Sequence, residues 1–168
     1  MQRNFDIEAF YTLLEKLENR MGGRRRFGDC DARMPWPKRG VYFFFEPSEY
    51  RRVVRIGTHA LKSGAGTTVW KRLRQHRGTL RPFGGNHRGS IFRLLAWQAL
   101  SARTPSLGVE SWEDKKLSSK DMRMDERPLE QAVSSYLADT RLLVLPVSDA
   151  AGPGSLRGLI RRNSIALS

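Results

Sequence analysis

Arg72 and His76 stand four residues apart in Arg72-Leu73-Arg74-Gln75-His76. In a helix that spacing puts both side chains on one face. A guanidinium there can clamp a phosphate through two parallel N–H bonds, and an imidazole beside it can orient or deprotonate a water. Hydrolysis of a phosphodiester needs both an activated water and donors for the charge building on the phosphoryl and leaving oxygens. Glu130, in Pro128-Leu129-Glu130, adds a carboxylate at the edge of an apolar helical stripe. Such a group can ligate Mg2+, with Mn2+ as its substitute, because these ions take oxygen ligands and keep most of their waters. Each residue has a plainer alternative. Arg72 can be a solvated helix arginine, His76 can cap the last carbonyls of its helix, and Glu130 can pair with Arg127.

The charge distribution points to the substrate. Residues 51–103 hold ten Arg and two Lys, no Asp or Glu, and all three histidines, His59, His76 and His87. The rest of the chain is nearly balanced at 18 basic against 17 acidic residues, so this window supplies almost all of the net charge of +13. A segment without carboxylates repels no polyanion. Arg outnumbers Lys 23 to 7, and its planar fork suits phosphate oxygens. The expected partner is DNA, with RNA left open. The expected contacts are Arg55, His59, Lys71, Arg74, Arg77 and Arg88. Trp36, Trp70, Trp97 and Trp112 can stack on bases, although Trp70 and Trp97 also suit a core. Cys30 and the histidines lack the spacing of a zinc site.

The elements that must position these groups follow from the hydrophobic pattern. At 168 residues the chain is long enough for one domain with its own core. No apolar run approaches the roughly 18 residues of a membrane span. The first residues lack the apolar stretch of a signal peptide. A single cysteine fits a reducing, cytoplasmic compartment. Residues 5–21 have helical periodicity, stopped at Gly22-Gly23. Residues 24–39 are expected to be an irregular connector. Residues 41–45 and 51–56 predict an antiparallel hairpin. Thr67 or Thr68 caps a helix to about Arg77. Residues 79–89 form a basic loop, 90–101 a helix by length, and 102–123 a polar insertion. Pro128 opens a helix to Leu137, 142–147 is a strand, and Ser155 caps a short last helix ending before Asn163. The fold class is α/β (α+β), a small antiparallel sheet flanked by helices with an extra N-terminal helix. Residues 1–38 are expected to stand apart from a domain over 39–168. The added segments can extend a DNA surface or build a homodimer.

Four pieces in order carry a family resemblance: Gly40-Val41-Tyr42, Arg55-Ile56-Gly57, the Arg72 to His76 helix, and Glu130. The set resembles the GIY-YIG nuclease superfamily over roughly residues 39–138. That superfamily includes repair excinuclease subunits, homing endonucleases and some restriction enzymes. The resemblance implies a small sheet flanked by helices and phosphodiester hydrolysis with one divalent metal. It implies catalytic roles for Tyr42, Arg72, His76, His87 and Asn163, and metal ligation by Glu130. Glu130→Ala is then expected to stop cleavage with the fold intact. One position departs: Arg55 stands where the family has a tyrosine that can take the proton of the attacking water. Arginine cannot do this, which leaves Tyr42, His76 and His59 as alternative bases. The expected activity is a metal-dependent DNA endonuclease. The rivals are a spent domain of the same fold that only binds nucleic acid, and a small basic partner of a larger complex.

Overall fold

The computed structural model describes residues 2–48, 52–79, 84–102, 112 and 119–168. In chain order the elements are α1 (Gln2–Met21), β1 (Arg25–Arg26), β2 (Gly40–Phe45), β3 (Val53–Gly57), α2 (Val69–Arg77), α3 (Ile91–Ser101), α4 (Lys120–Asp125), α5 (Arg127–Asp139), β4 (Arg141–Pro146) and α6 (Leu156–Leu167), with 3-10 turns at Phe27–Asp29 and His87–Gly89. The strands form one antiparallel sheet in the order β1-β4-β2-β3. This is the expected α+β architecture. By its contacts the chain forms two compact units, Met1–Arg72 with Thr140–Ser168, and Leu73–Asp139.

In the first unit β2 is the central strand, and all six of its residues are buried. A strand covered on both faces reads as a continuous apolar run rather than an alternation, which Val41 to Phe45 does. Val41, Phe43 and Phe45 face one side, where they join Ile56, Val53 and Leu143 and meet Phe10 and Leu14 of α1; Ile160 and Leu167 of α6 pack against the same cluster. The N-terminal helix and the sheet therefore share one core. On the opposite side of β2 lie Tyr42 and Phe44. The register pairs Tyr42 with Gly57 and Val144, and Phe44 with Arg55 and Leu142. Paired residues point the same way, so β3 sends Arg55 to the Tyr42 side. The pairing shifts after Phe44, where a bulge adds a residue to β3.

Three elements differ from expectation. β1 falls in the expected connector; its Arg25 and Arg26 are exposed and pair with β4 through backbone alone, so no side-chain pattern marks it. α6 runs past Asn163 to Leu167, capped as expected by Ser155, whose Oγ accepts from the Gly158 N–H. α4 occupies the end of the expected 102–123 insertion; most of that stretch lies outside the described residues. Thr68, not Thr67, supplies the α2 cap, its Oγ1 accepting from Lys71 N at 3.2 Å. In the second unit α3 packs on α5. Glu130 N donates to Glu126 O, so helical bonding continues from α4 into α5. Among the described residues no helix is long and apolar enough to cross a membrane.

Candidate active site

The first unit gathers a tyrosine and three arginines. Tyr42 is 1% exposed. Its ring packs so closely on Gly57 that a Cβ there would sit 2.2 Å from ring carbon; the backbone of β3 can pass the phenol only as glycine. The hydroxyl donates to the Thr58 carbonyl over 3.5 Å, a long bond, and accepts from Arg72. Burial raises the Tyr42 pKa, against the opposing pull of Arg72, Arg55 and Arg161. At neutral pH the group is a neutral phenol. Arg55 is acted on by its own burial, by Tyr42, and by the charges of Arg161 and Arg72. The described side chains that act on Tyr42 are Arg72, Arg55 and Arg161, and those that act on Arg55 are Tyr42, Arg161 and Arg72. Three clustered guanidiniums around a buried phenol repel one another and attract an anion with several oxygens, which is what a phosphate is.

His59 belongs to a different cluster. It is buried, and its Nδ1–H donates to the Thr67 carbonyl at 2.9 Å, which leaves Nε2 buried without a hydrogen-bond partner. Arg157, fully buried, donates to the Asp149 carboxylate and to the His59 carbonyl. Arg39 donates to the Asp149 carbonyl. Desolvation is the main cause that lowers the His59 pKa from 6.5 to about 4, with Arg157 and Arg39 adding to it. The expected roles of His59 as backbone contact and as alternative base do not hold, since the ring is inaccessible and fixes a loop. A depressed histidine pKa means the unfolded chain takes up the proton first. Stability is full above about pH 6.5 and falls as pH drops toward about 4. Urea unfolding at neutral and mildly acidic pH should show this loss. His59→Asn, which can still donate to Thr67, should show less of it, and identical pH dependence in both would contradict the assignment.

The second unit holds a saturated carboxylate network. Glu130 Oε1 accepts from His87 N at 2.6 Å and from His87 Nδ1 at 2.9 Å. Glu130 Oε2 accepts from Arg93 Nε at 2.8 Å and Arg93 Nη2 at 2.5 Å. Arg93 is 0% exposed; it also donates to Ser134 Oγ and to the carbonyls of His76, Arg77 and Glu130. Gly85 leaves room for its guanidinium, since a Cβ there would be 2.2 Å from Arg93 Cζ. His76 is fully buried, with Nδ1 2.7 Å from Ser90 Oγ and its ring edge-on to Phe92. His87 is buried and stacked on Trp112 at 3.9 Å. The donors from His87 and Arg93 hold the Glu130 pKa below its ordinary value of 4.5, against the raising effect of burial.

The structure thus brings Tyr42, Arg55 and Arg72 together and adds Arg161, which sequence analysis missed because nothing in Arg161-Arg162 singles out one arginine. It does not bring Asn163 to them. Asn163 is exposed and lines a groove with Asp6, Phe10 and Leu13 of α1. Two positions from Arg161, it faces another side of α6. Arg88 is no open phosphate contact, because Glu126 holds it through bonds of 2.6 and 2.7 Å. His87 has no open access and ties η-turn backbone and ring to Glu130. Lys71 and Arg74 are exposed and Arg77 is half-buried. Arg93 was also missed, although a lone arginine within the apolar run of α3 is a signal for a buried partner.

The metal ligand expected at Glu130 does not fit this geometry. Four protein donors occupy its two oxygens, and the side chain is 6% exposed. Among the described residues no group of three or more His, Cys, Asp or Glu could hold a metal ion.

The sequence profile described as the GIY-YIG domain matches residues 1–168. No curated protein and no solved structure matches the chain.

Proposed function

Because the chain belongs to the GIY-YIG domain family, whose members are typically nucleases, we propose that it is an endonuclease that hydrolyses phosphodiester bonds of DNA. One observation carries this: the cluster of Arg55, Arg72 and Arg161 around buried Tyr42. Arg72 clamps the scissile phosphate, with Arg55 and Arg161 adding positive charge where negative charge builds. The Tyr42 hydroxyl is held as a neutral donor, and Gly57 and Thr58 fix its ring. Its raised pKa makes it a poor base at neutral pH. His76 is fully buried with Nδ1 on Ser90 Oγ, so the burial that removes His59 from contact with the attacking water removes His76 as well.

GIY-YIG nucleases generally use divalent metals, and Mg2+ or Mn2+ is the ion expected here. It would supply Lewis-acid stabilisation of the phosphoryl oxygens.

The second reading is a spent domain that binds nucleic acid without cutting it. Two observations favour it: Arg55 occupies the position of the family's second tyrosine, and Glu130 is saturated. Incubating the purified chain with DNA beside its Arg72→Ala variant separates the two. The endonuclease cuts and the variant fails to; the spent domain binds in both forms and cuts in neither.

A further inference from the structure

Independently of the proposed activity, we propose that the chain forms a homodimer through the exposed side of α1 and the groove between α1 and α6. Both helices belong to the first unit. Phe5 and Leu13 of α1 are each 63% exposed, more than any other large apolar side chain among the described residues. Ala9 stands midway between them, and steps of four residues keep all three along one side of the helix. Phe10 and Leu14, on another side, join the core of the sheet. Beside the stripe lies a groove of about 620 Å³, lined by Phe10, Leu13, Ile160, Ala166 and Leu167, with Asn163 as a polar group. A contiguous apolar stripe and groove in water mark an interaction surface.

The charges on this side of α1 select a second copy as the occupant. Asp6 stands three residues before Ala9, and Lys16 three after Leu13, so the stripe has an acidic end and a basic end. Both are exposed, and Gln2 Nε2 donates to Asp6 Oδ1 at 3.2 Å. An antiparallel pairing about a two-fold axis near Ala9 matches this surface to itself. Phe5 then lies level with the partner's Leu13, which lines the partner's groove. Ala9 faces the partner's Ala9, and two small side chains let the helices approach. Lys16 comes level with the first turn of the opposite helix, within a lysine's reach of the partner's Asp6. Parallel pairing would instead set like charges side by side. Antiparallel helices also oppose their dipoles.

The test is sedimentation velocity of the full chain between about 1 and 100 μM, the range in which an interface of modest size dissociates. The unsubstituted chain should pass from monomer to dimer. Leu13→Glu should raise the dimer dissociation constant at least roughly tenfold, because it places a carboxylate in the apolar seam. Met124→Glu, at an exposed apolar side chain of α4, should leave it unchanged. Asp6→Lys should weaken pairing roughly fivefold or more, since each dimer holds two such ion pairs. Asp6→Lys/Lys16→Asp should restore it. The two positions lie about 15 Å apart along one helix, so rescue reports a contact between copies. A monomer at every concentration would overturn the dimer, as would a Leu13→Glu dimer as tight as the original. Failure of the double exchange to restore pairing would overturn the antiparallel arrangement. Should Leu13→Glu not fold, by circular dichroism, the charge exchange alone decides.

Discussion

Arg72→Ala is expected to slow DNA cleavage by at least roughly 10²-fold, the scale of one lost transition-state donor. The guanidinium bonds the Tyr42 hydroxyl in the free protein, so it is already aimed at the space the phenol borders. A charge held in place needs little reorganisation when negative charge builds on the phosphate. Arg72→Lys should recover only part of the rate, because an ammonium keeps the charge without the bidentate fork. Duplex affinity should fall much less than the rate, since Arg55 and Arg161 remain. Single-turnover cleavage measured beside anisotropy separates the two effects. A rate within a few fold of the unsubstituted chain would reduce Arg72 to surface charge.

Glu130→Ala is expected to destabilise the fold by about 3 to 5 kcal/mol, the cost of leaving a buried charge without its partner. Arg93 is fully buried and spends three of its bonds on Glu130. Two of these end on the carboxylate, which alanine lacks. The loss corresponds to a fall in unfolding temperature of roughly 10 °C or more. Replacing both residues by methionine should recover part of it, because an apolar pair leaves no stranded charge. The native pKa of Glu130 lies below its ordinary 4.5. Its contribution is therefore present above that ordinary value and lost as pH falls through the lowered native one. Thermal unfolding followed by circular dichroism measures both effects. An unchanged unfolding temperature together with lost Mn2+ binding would restore Glu130 as a metal ligand. The expectation that Glu130→Ala spares the fold came from its place at the edge of an apolar stripe. That pattern gives a residue's helical face and not its partners.

Much of the fold was legible for a simple reason. A period of 3.6 survives where one helix face is buried, as in α5, and a strand covered on both faces shows as a continuous apolar run, as in β2. The cap at Ser155 is local chemistry and reads directly from sequence; the cap at Ser90 was not read there. β1 was invisible because its two exposed arginines join the sheet through backbone bonds. The site was legible at Tyr42 and Arg72, where the hairpin and the following helix bear the family pattern. It was not legible at Arg161, which reaches the cluster only because α6 packs on β2 and β3. Nor could spacing show that Glu130 and Arg93, 37 residues apart, satisfy each other. Charge segregation in residues 51–103 indicated a polyanion. It did not distinguish Lys71 and Arg74, which are exposed, from Arg88 and Arg93, whose charges are spent inside the fold.

The most direct measurement is incubation of the purified chain with supercoiled plasmid, single-stranded DNA and branched DNA, each with Mg2+, Mn2+ or EDTA, beside Arg72→Ala. An endonuclease nicks or linearises at least one substrate when a divalent ion is present, stops in EDTA, and loses most of its rate in the variant. Binding of all three substrates with no cutting under any condition would contradict the proposed activity and leave a spent GIY-YIG domain that holds nucleic acid.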